Sequence, residues 1–409
     1  MDDPNDRIRD LVESYGWPSE LANDIISAGI SHSELKYWQW ESLPPQVVPI
    51  QLEWYQRFSV GDLRGRTATL ADNDALADLF DRCHEELGEW EVFTERSPNA
   101  FAQFYLQRTA QLSLIDDGKR LIACVAWARR NVLVGGRRVS ASYGEALRVD
   151  PDYRRQGVGD QVRRLPQAIG ALPVEFRYDY TRTDNLAIAN WTNKYEKYTE
   201  GDEWRGASLD IPVTVTEIPV GEFHGSERGI RKTRPEDLNA CVRLINATHE
   251  GQDLFRPYST EFLEDILDEG FWGEAPRWSP HESIYGWSDH YVLEIGGRIL
   301  ACAGLWDRGR NQRTRWRRAG HTRSVTVSDT SVLDYGYASG EEHAMEALLL
   351  HLMSITGKLG RDQLVVSMDQ LPALAEVIAP YQGQEETRLL RYSHPSLKLN
   401  RPYTDLRFW

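Results

Sequence analysis

The chain repeats itself, and that repetition limits its fold more than any other feature. Residues 75–85, ALADLFDRCHE, align without gaps on residues 240–250, ACVRLINATHE. Arg120-Leu121-Ile122-Ala123-Cys124 likewise aligns on Arg298-Ile299-Leu300-Ala301-Cys302, with Trp127 and Trp306 soon after. The pieces come in the same order in both halves, which predicts two copies of one fold joined near residues 219–226. At 409 residues the chain exceeds one usual core, and each copy has the size of a domain. Three segments result: a helical extension at 1–62, a first copy at 63–222 and a second at 223–409.

The first copy reads as α/β (α+β), a mixed β-sheet with flanking helices. Residues 66–70 form a strand, and Asp72, Asn73 and Asp74 supply caps for a helix running to about Glu86. A second helix is expected over 98–109. Residues 111–115 and 120–128 form a hairpin about Asp116-Asp117-Gly118, and the meander continues through Gly135-Gly136 into a strand ending at Val149. Residues 174–180 form a fifth strand, parallel to the fourth. A helix over 186–195 and a closing strand from 207 complete the copy. Residues 1–62 read as short helices over 6–15, 19–28 and 33–40, a cap on the main body, a lid or a dimerisation arm.

Within the fourth strand and its sequel lies the stretch YGEALRVDPDYRRQGVGD, residues 143–160. Leu147 and Val149 alternate with polar neighbours, Pro151 ends the ladder, and Val158, Val162 and Leu165 share a helical face. A strand, a tight glycine-containing turn and a helix start suit an anion. The first helical turn leaves amides without intrahelical partners, and the dipole adds positive charge there. Gly157 and Gly159 let a phosphate approach the backbone, and Arg154 and Arg155 add charge.

Val-x-Pro-x-Tyr-Arg-Arg-Gln-Gly-Val-Gly at 149–159 resembles the acyl-CoA signature of the GNAT superfamily of N-acyltransferases, an Arg or Gln, two variable residues, Gly, any residue, then Gly or Ala. Arg154, Gln156, Gly157 and Gly159 carry the match. The resemblance implies tandem GNAT-like domains, acetyl-CoA as co-substrate and no metal. It implies a cofactor site of Leu147, Arg148, Val149, Arg154, Arg155, Gln156, Gly157, Val158, Gly159, Asp160 and Asn190. In such enzymes the signature strand splays from its neighbour and a backbone N–H faces the thioester carbonyl. By register that N–H belongs near Leu147, with Val149 beside the pantetheine arm.

Acyl transfer needs a neutral amine, a donor for the developing oxyanion and an acid for the departing thiolate. Glu145, expected on the strand face of Leu147 and Val149, is the candidate base; its alternative role is to pair an arginine across the sheet. The resemblance implies a tyrosine acid near Tyr195-Glu196-Lys197. The spacing from Asn185 is longer than the family pattern and the Gly-Phe is missing, so Tyr195 and Tyr198 both stand as candidates, with Tyr195 preferred.

The second copy departs at the matching turn. Its strand is expected over 331–335 and its turn reads Gly336-Tyr337-Ala338-Ser339-Gly340-Glu341-Glu342-His343, with both arginines missing. Glu341 and Glu342 satisfy the helix dipole themselves and repel a pyrophosphate. This copy is expected to bind no acyl-CoA and to complete a substrate cleft or hold a dimer. His84 and His249 stand at equivalent positions and read as structural. The run Arg308, Arg310, Arg313, Arg315, Arg317, Arg318 and Arg323 reads as a solvated loop or a contact to acidic residues, with an anionic partner as the alternative.

Composition sets the partners. The net charge of -15 argues against nucleic acid and favours a small cationic amine. No apolar run is long enough for a bilayer, and Met1 leads into Asp2-Asp3-Pro4-Asn5-Asp6 rather than a signal peptide, so a cytoplasmic protein with no membrane partner is expected. Cys83, Cys124, Cys241 and Cys302 form no close pair and read as reduced packing residues. A homodimer stays open. So do three other functions: acylation of a peptide or protein amine, a non-catalytic acyl-CoA sensor or assembly module, and decarboxylation of a malonyl-type thioester.

Overall fold

The computed structural model describes residues 63–107, 110–162, 175–183, 185, 209–221, 228–268, 284–368, 371–381, 383–393 and 398–409, together with Asn5, Arg9, Asn23, Ile26 and Ser27, which are helical. The other residues of the expected extension lie outside these. Two compact units account for the chain: residues 1–85, 93–130 and 140–179 make one, and 86–92, 131–139 and 180–409 the other.

The first unit is built on β1 (Arg64–Thr67), α1 (Asn73–Arg82), β2 (Glu85–Leu87), β3 (Trp90–Arg96), α2 (Ala102–Gln107), β4 (Ala110–Asp116), β5 (Leu121–Val134), β6 (Arg137–Val149) and β7 (Phe176–Arg182). Of β2, β3, β5, β6 and β7, parts belong to the second unit. The strand order is β1-β4-β5-β6-β7, antiparallel from β1 through β5 and parallel between β6 and β7. The meander and the parallel fifth strand are therefore as the sequence reads.

Two helices differ in extent. The helix expected to reach Glu86 stops at Arg82, because Cys83 turns extended (φ −98°, ψ 90°) and the chain enters β2 and β3, strands the sequence reading missed. The second helix starts at Ala102 rather than near Pro98, because the Asn99 side chain accepts the Phe101 amide at 2.9 Å and so caps the entry. Helix α1 buries Leu76, Leu79 and Phe80 as one stripe. A separate cluster joins Ile115, Ile122, Ala123 and Val125 of β4 and β5 to Val158 and Val162, with Trp127, Leu147, Val149 and Tyr153 packed around it.

The second unit continues with β8 (Leu209–Pro219), β9 (Ile230–Lys232), α3 (Leu238–Thr248), α4 (Thr260–Asp268), β10 (His290–Ile295), β11 (Arg298–Trp306), β12 (Gln312–Arg318), β13 (Ser324–Val327), β14 (Asp329–Tyr337), α5 (Glu342–Lys358), β15 (Gln363–Val366), α6 (Pro372–Ile378) and β16 (Gln384–Ser393). Its main order is β16-β8-β15-β14-β11-β10-β9, with β14 and β15 parallel. Helix α3 packs on β14 and β11. The strand expected to close the first copy, β8, runs antiparallel between β15 and β16. Helix α5 supplies Met345, Leu348, Leu349 and Leu352 to the core beneath this sheet.

The arginine-rich segment forms a 3-10 turn at Arg308–Arg310 and then the β12–β13 hairpin. Arg308 makes a buried pair with Asp329, at 2.7 and 2.6 Å, and Arg317 and Arg318 each reach a carboxylate, Glu91 and Glu89, at 2.6 Å. These are contacts to acidic residues, one of the two plain roles expected of the run. All four cysteines are free and buried.

Candidate active site

The site grows out of an interruption in β6. The β6–β7 register runs from Ala141↔Phe176 to Gly144↔Asp179 and ends there. Two residues later Ala146 takes φ 55°, a left-handed conformation that costs a residue with a Cβ. The strand thus bulges where its parallel pairing stops, and the carbonyl of Ala146 turns to accept the Cys124 thiol at 3.3 Å.

The bulge reverses the alternation of side chains. Glu145 was expected beside Leu147 and Val149; it lies on the opposite face. Leu147 and Val149 pack toward Val158, Val162 and Trp127. Glu145 instead accepts amide hydrogens from Gln103, at 3.1 Å, and from Gln107, both on α2. Arg148 shares that side, donating to Glu85 at 3.0 Å with its guanidinium 5.4 Å from the Phe80 ring. One extra residue changes a period of two into a period of three, which sets Glu145 and Arg148 together.

Behind Glu145 sits Arg96, 6% exposed, its guanidinium 4.3 Å from the Phe80 ring centroid and 4.6 Å from that of Phe104. It donates to Gln103 at 2.8 Å. Burial pulls its pKa down to about 10, while the Glu145 charge acts to hold it up. Nothing in the sequence around Arg96 marked it; the signal available was a charged residue at the end of an aromatic-rich segment.

Past β6 the turn is braced from both sides. The buried Asp150 carboxylate accepts the Asp152 amide at 3.1 Å, Arg82 at 3.0 Å and Arg120 at 3.3 Å. Tyr153 donates to Asp117 at 2.6 Å, and that bond first, then the Arg120 and Lys119 amides, hold the Asp117 carboxyl down at about 2. Arg154 lays its guanidinium on the carbonyls of Val149 and His84, at 3.2 and 3.1 Å, so it fastens the turn. Gln156 donates to the Asp152 carbonyl at 2.8 Å.

The backbone passes twice through the left-handed region, at Arg155 (φ 63°) and Gly157 (φ 82°). Successive amides in such turns line a concave anion site. Gly157 is exposed and a Cβ there would meet nothing within 4 Å; one on Gly159 would make ordinary contact with Val149 at 3.6 Å. Helical backbone starts at Val158, with the amides of Asp160 and Gln161 both donating to the Gly157 carbonyl at 3.1 Å. Leu147, Arg148, Val149, Arg154, Arg155, Gln156, Gly157, Val158, Gly159 and Asp160 are therefore contiguous along one strand, turn and helix start. Asn190, Tyr195 and Tyr198 lie outside the described residues.

The second unit carries the same bulge, filled. Its β14–β15 register ends at Ser331↔Val365, and Asp334 takes φ 48°. Asp334 is 1% exposed and Arg407 grips it with Nη2 at 2.5 Å from both carboxylate oxygens, while the Tyr258 and Tyr285 hydroxyls also donate to it. Burial pushes the Asp334 carboxyl up, but the Arg407 charge and these hydrogen bonds outweigh it and leave the pKa below the usual range. Strand β14 continues to Tyr337, so Gly336 and Tyr337 belong to the strand and not, as expected, to the turn. The interval from Asp334 to the following helix is correspondingly short.

No protein-family model and no curated protein sequence matches the chain. Solved structures do. Saccharomyces cerevisiae N-myristoyltransferase with bound myristoyl-CoA superposes with a TM-score of 0.55 at 10% identity, covering 84% of this chain and 87% of that one. A second structure of that enzyme, with myristoyl-CoA and inhibitors, gives 0.56 at 10% identity over 86% and 84%. A GCN5-related N-acetyltransferase from Sphaerobacter thermophilus gives 0.44 at 15% identity over 86% and 99%. The likeness to N-myristoyltransferase shows a shared mixed α/β fold. Each unit has a meander, a parallel strand beyond it and a left-handed residue on the strand between them. Among the described residues no group of His, Cys, Asp and Glu is placed to hold a metal ion, and no helix is long and apolar enough to cross a membrane.

Proposed function

We propose that this chain is an acyl-CoA-dependent N-acyltransferase whose working copy is the first, transferring an acetyl group from acetyl-CoA to a primary amine of a small cationic molecule. The observation that carries this reading is the coincidence of the Ala146 bulge, the end of the β6–β7 pairing and the Gly157 turn on one strand–turn–helix unit. Pyrophosphate lies on the turn amides, pantetheine runs past Val149, and the thioester carbonyl meets the Leu147 amide. The amine approaches from the Glu145 face. Its nitrogen forms a bond to the carbonyl carbon as the C–S bond breaks. The amine proton passes to Glu145, directly or through water, and the thiolate takes a proton from Tyr195 or Tyr198.

The net charge of -15 supports a cationic acceptor. The likeness to a myristoyl-CoA-binding enzyme supports a second reading, a long-chain donor and a peptide amine. The test is thiol release from acetyl-CoA and from myristoyl-CoA by the full chain, with a panel of polyamines, aminoglycosides and peptide amines. Amine-dependent release from acetyl-CoA supports the first reading, and release from myristoyl-CoA with peptides alone supports the second. CoA binding without any release leaves a sensor.

A further inference from the structure

Trp127 of β5 stands where the pairing of β6 with β7 stops. Its ring packs on Gly144 so closely that a Cβ at 144 would lie 2.7 Å from the indole Cζ3 and 2.9 Å from Cη2. Gly144 is also the last β6 residue in register with β7. Arg177, on β7, places its guanidinium 5.5 Å from the Trp127 ring centroid, so the indole is approached from both strands. Trp127 also packs, as Leu147 and Val149 do, against the cluster that includes Val158 and Val162. The indole Nε1 is buried and has no hydrogen-bond partner among the described residues. A position chosen for packing alone is filled at less cost by an aliphatic or phenyl side chain, which carries no N–H to leave unmade.

We propose that Trp127 is the end-stop of the acyl site and restricts the donor to short acyl groups. This rests on the acyltransferase reading above, in which the thioester carbonyl faces the Leu147 amide. From Leu147 back to Gly144 the strand advances at most about 10 Å. The indole fills the far end of that interval on the face shared by Leu147 and Val149. On this reading the interval has the length of a few carbons, and a fourteen-carbon chain would meet the ring. Glycine at 144 is what lets the ring stand so far in, so Trp127 and Gly144 set the length limit together.

The test is calorimetric binding of acetyl-CoA, octanoyl-CoA and myristoyl-CoA to the full chain and to Trp127→Ala, Trp127→Leu and Trp127→Phe. The natural chain should bind acetyl-CoA at least about tenfold more tightly than octanoyl-CoA, and Trp127→Ala should bring that ratio to about twofold or invert it, with Trp127→Phe between. Trp127→Leu and Trp127→Phe keep the test decisive should the alanine variant not fold. Equal affinity of the natural chain for acetyl-CoA and octanoyl-CoA overturns the end-stop. So does an unchanged ratio in a folded variant. If no form binds any CoA thioester, the acyltransferase reading itself falls, a result distinct from an unchanged ratio.

Discussion

Ala146 and Asp334 hold the same left-handed backbone, φ 55° and 48°, one residue in each copy, at the point where a parallel strand leaves its neighbour. The left-handed residue is common to both units and its surroundings differ. In the first copy the residue is a methyl. In the second it is a carboxylate, gripped by Arg407 and two tyrosine hydroxyls. The space around the bulge is there occupied by the chain's own side chains.

That occupation predicts a large stability effect. Arg407→Met leaves a buried carboxylate without its cation, and removal of one member of such a pair costs about 3–5 kcal/mol. Asn tolerates left-handed backbone, so Asp334→Asn combined with Arg407→Met removes both charges without new strain. Guanidinium unfolding should show the double variant less destabilised than Arg407→Met alone. Equal losses would mean the network stabilises by packing rather than by charge.

His249 predicts how stability varies with pH. It is 1% exposed, bridging Gln252 at 2.8 Å and the Tyr335 carbonyl at 3.1 Å. Burial lowers its pKa from 6.5 to about 4, although both hydrogen bonds act the other way. The unfolded chain therefore binds a proton between pH 6.5 and 4 that the folded chain refuses. Stability from this group is fully present above pH 6.5 and is lost as pH falls, by up to about 3 kcal/mol at pH 4. His249→Gln should flatten stability across that window in denaturant titrations at stepped pH. The Glu386 carboxyl, pushed up by burial but held at about 2 by Arg388 and Arg182, loses its contribution lower, between pH 4.5 and 2, so the two windows overlap only at their shared edge near pH 4.

What the sequence reveals and conceals follows from how each feature is encoded. The hairpins, the parallel strand and the Gly157 turn are local and marked by glycine, proline and periodicity. The repeat is legible because equivalent helices bury equivalent residues, Leu76 and Phe80 of α1 matching Cys241 and Ile245 of α3. The bulge is invisible because its left-handed residue is alanine, which has no turn propensity. One unmarked residue there moves Glu145 to the other face of the sheet. Strand β3 is hidden because WEVFTER buries Val92, Phe93 and Arg96, a pattern of neither period. The Asp334–Arg407 pair joins residues 73 apart in sequence, beyond any local signal.

Gly157 separates anion binding from backbone strain. Gly157→Ala adds a Cβ with nothing within 4 Å, so only the left-handed φ of 82° resists it, at about 1–2 kcal/mol. Gly157→Asp adds the same strain and a negative charge. Calorimetry should show CoA affinity falling about tenfold for alanine and at least about a hundredfold more for aspartate. Similar losses for the two variants would remove the diphosphate from this turn.

Glu145 is the sharpest test of mechanism, because its surroundings serve either of two roles. Gln103 and Gln107 hold the carboxylate, and buried Arg96 lies behind it, an arrangement suited to fixing a charge in one orientation. If the carboxylate receives the amine proton, Glu145→Gln should lower kcat about 10²- to 10³-fold while acetyl-CoA affinity changes little, since Leu147 and Val149 face the other way. The acid limb of the kcat/KM profile should vanish with it. If Glu145 only balances Arg96, the variant should lose stability in denaturant, because a buried guanidinium is left without its counter-charge, and the remaining folded enzyme should keep its pH profile. Thermal melts and pH–rate profiles on the same preparation distinguish the two. An acid limb unchanged in Glu145→Gln takes the base role away from this residue and returns it to water or to the acceptor itself.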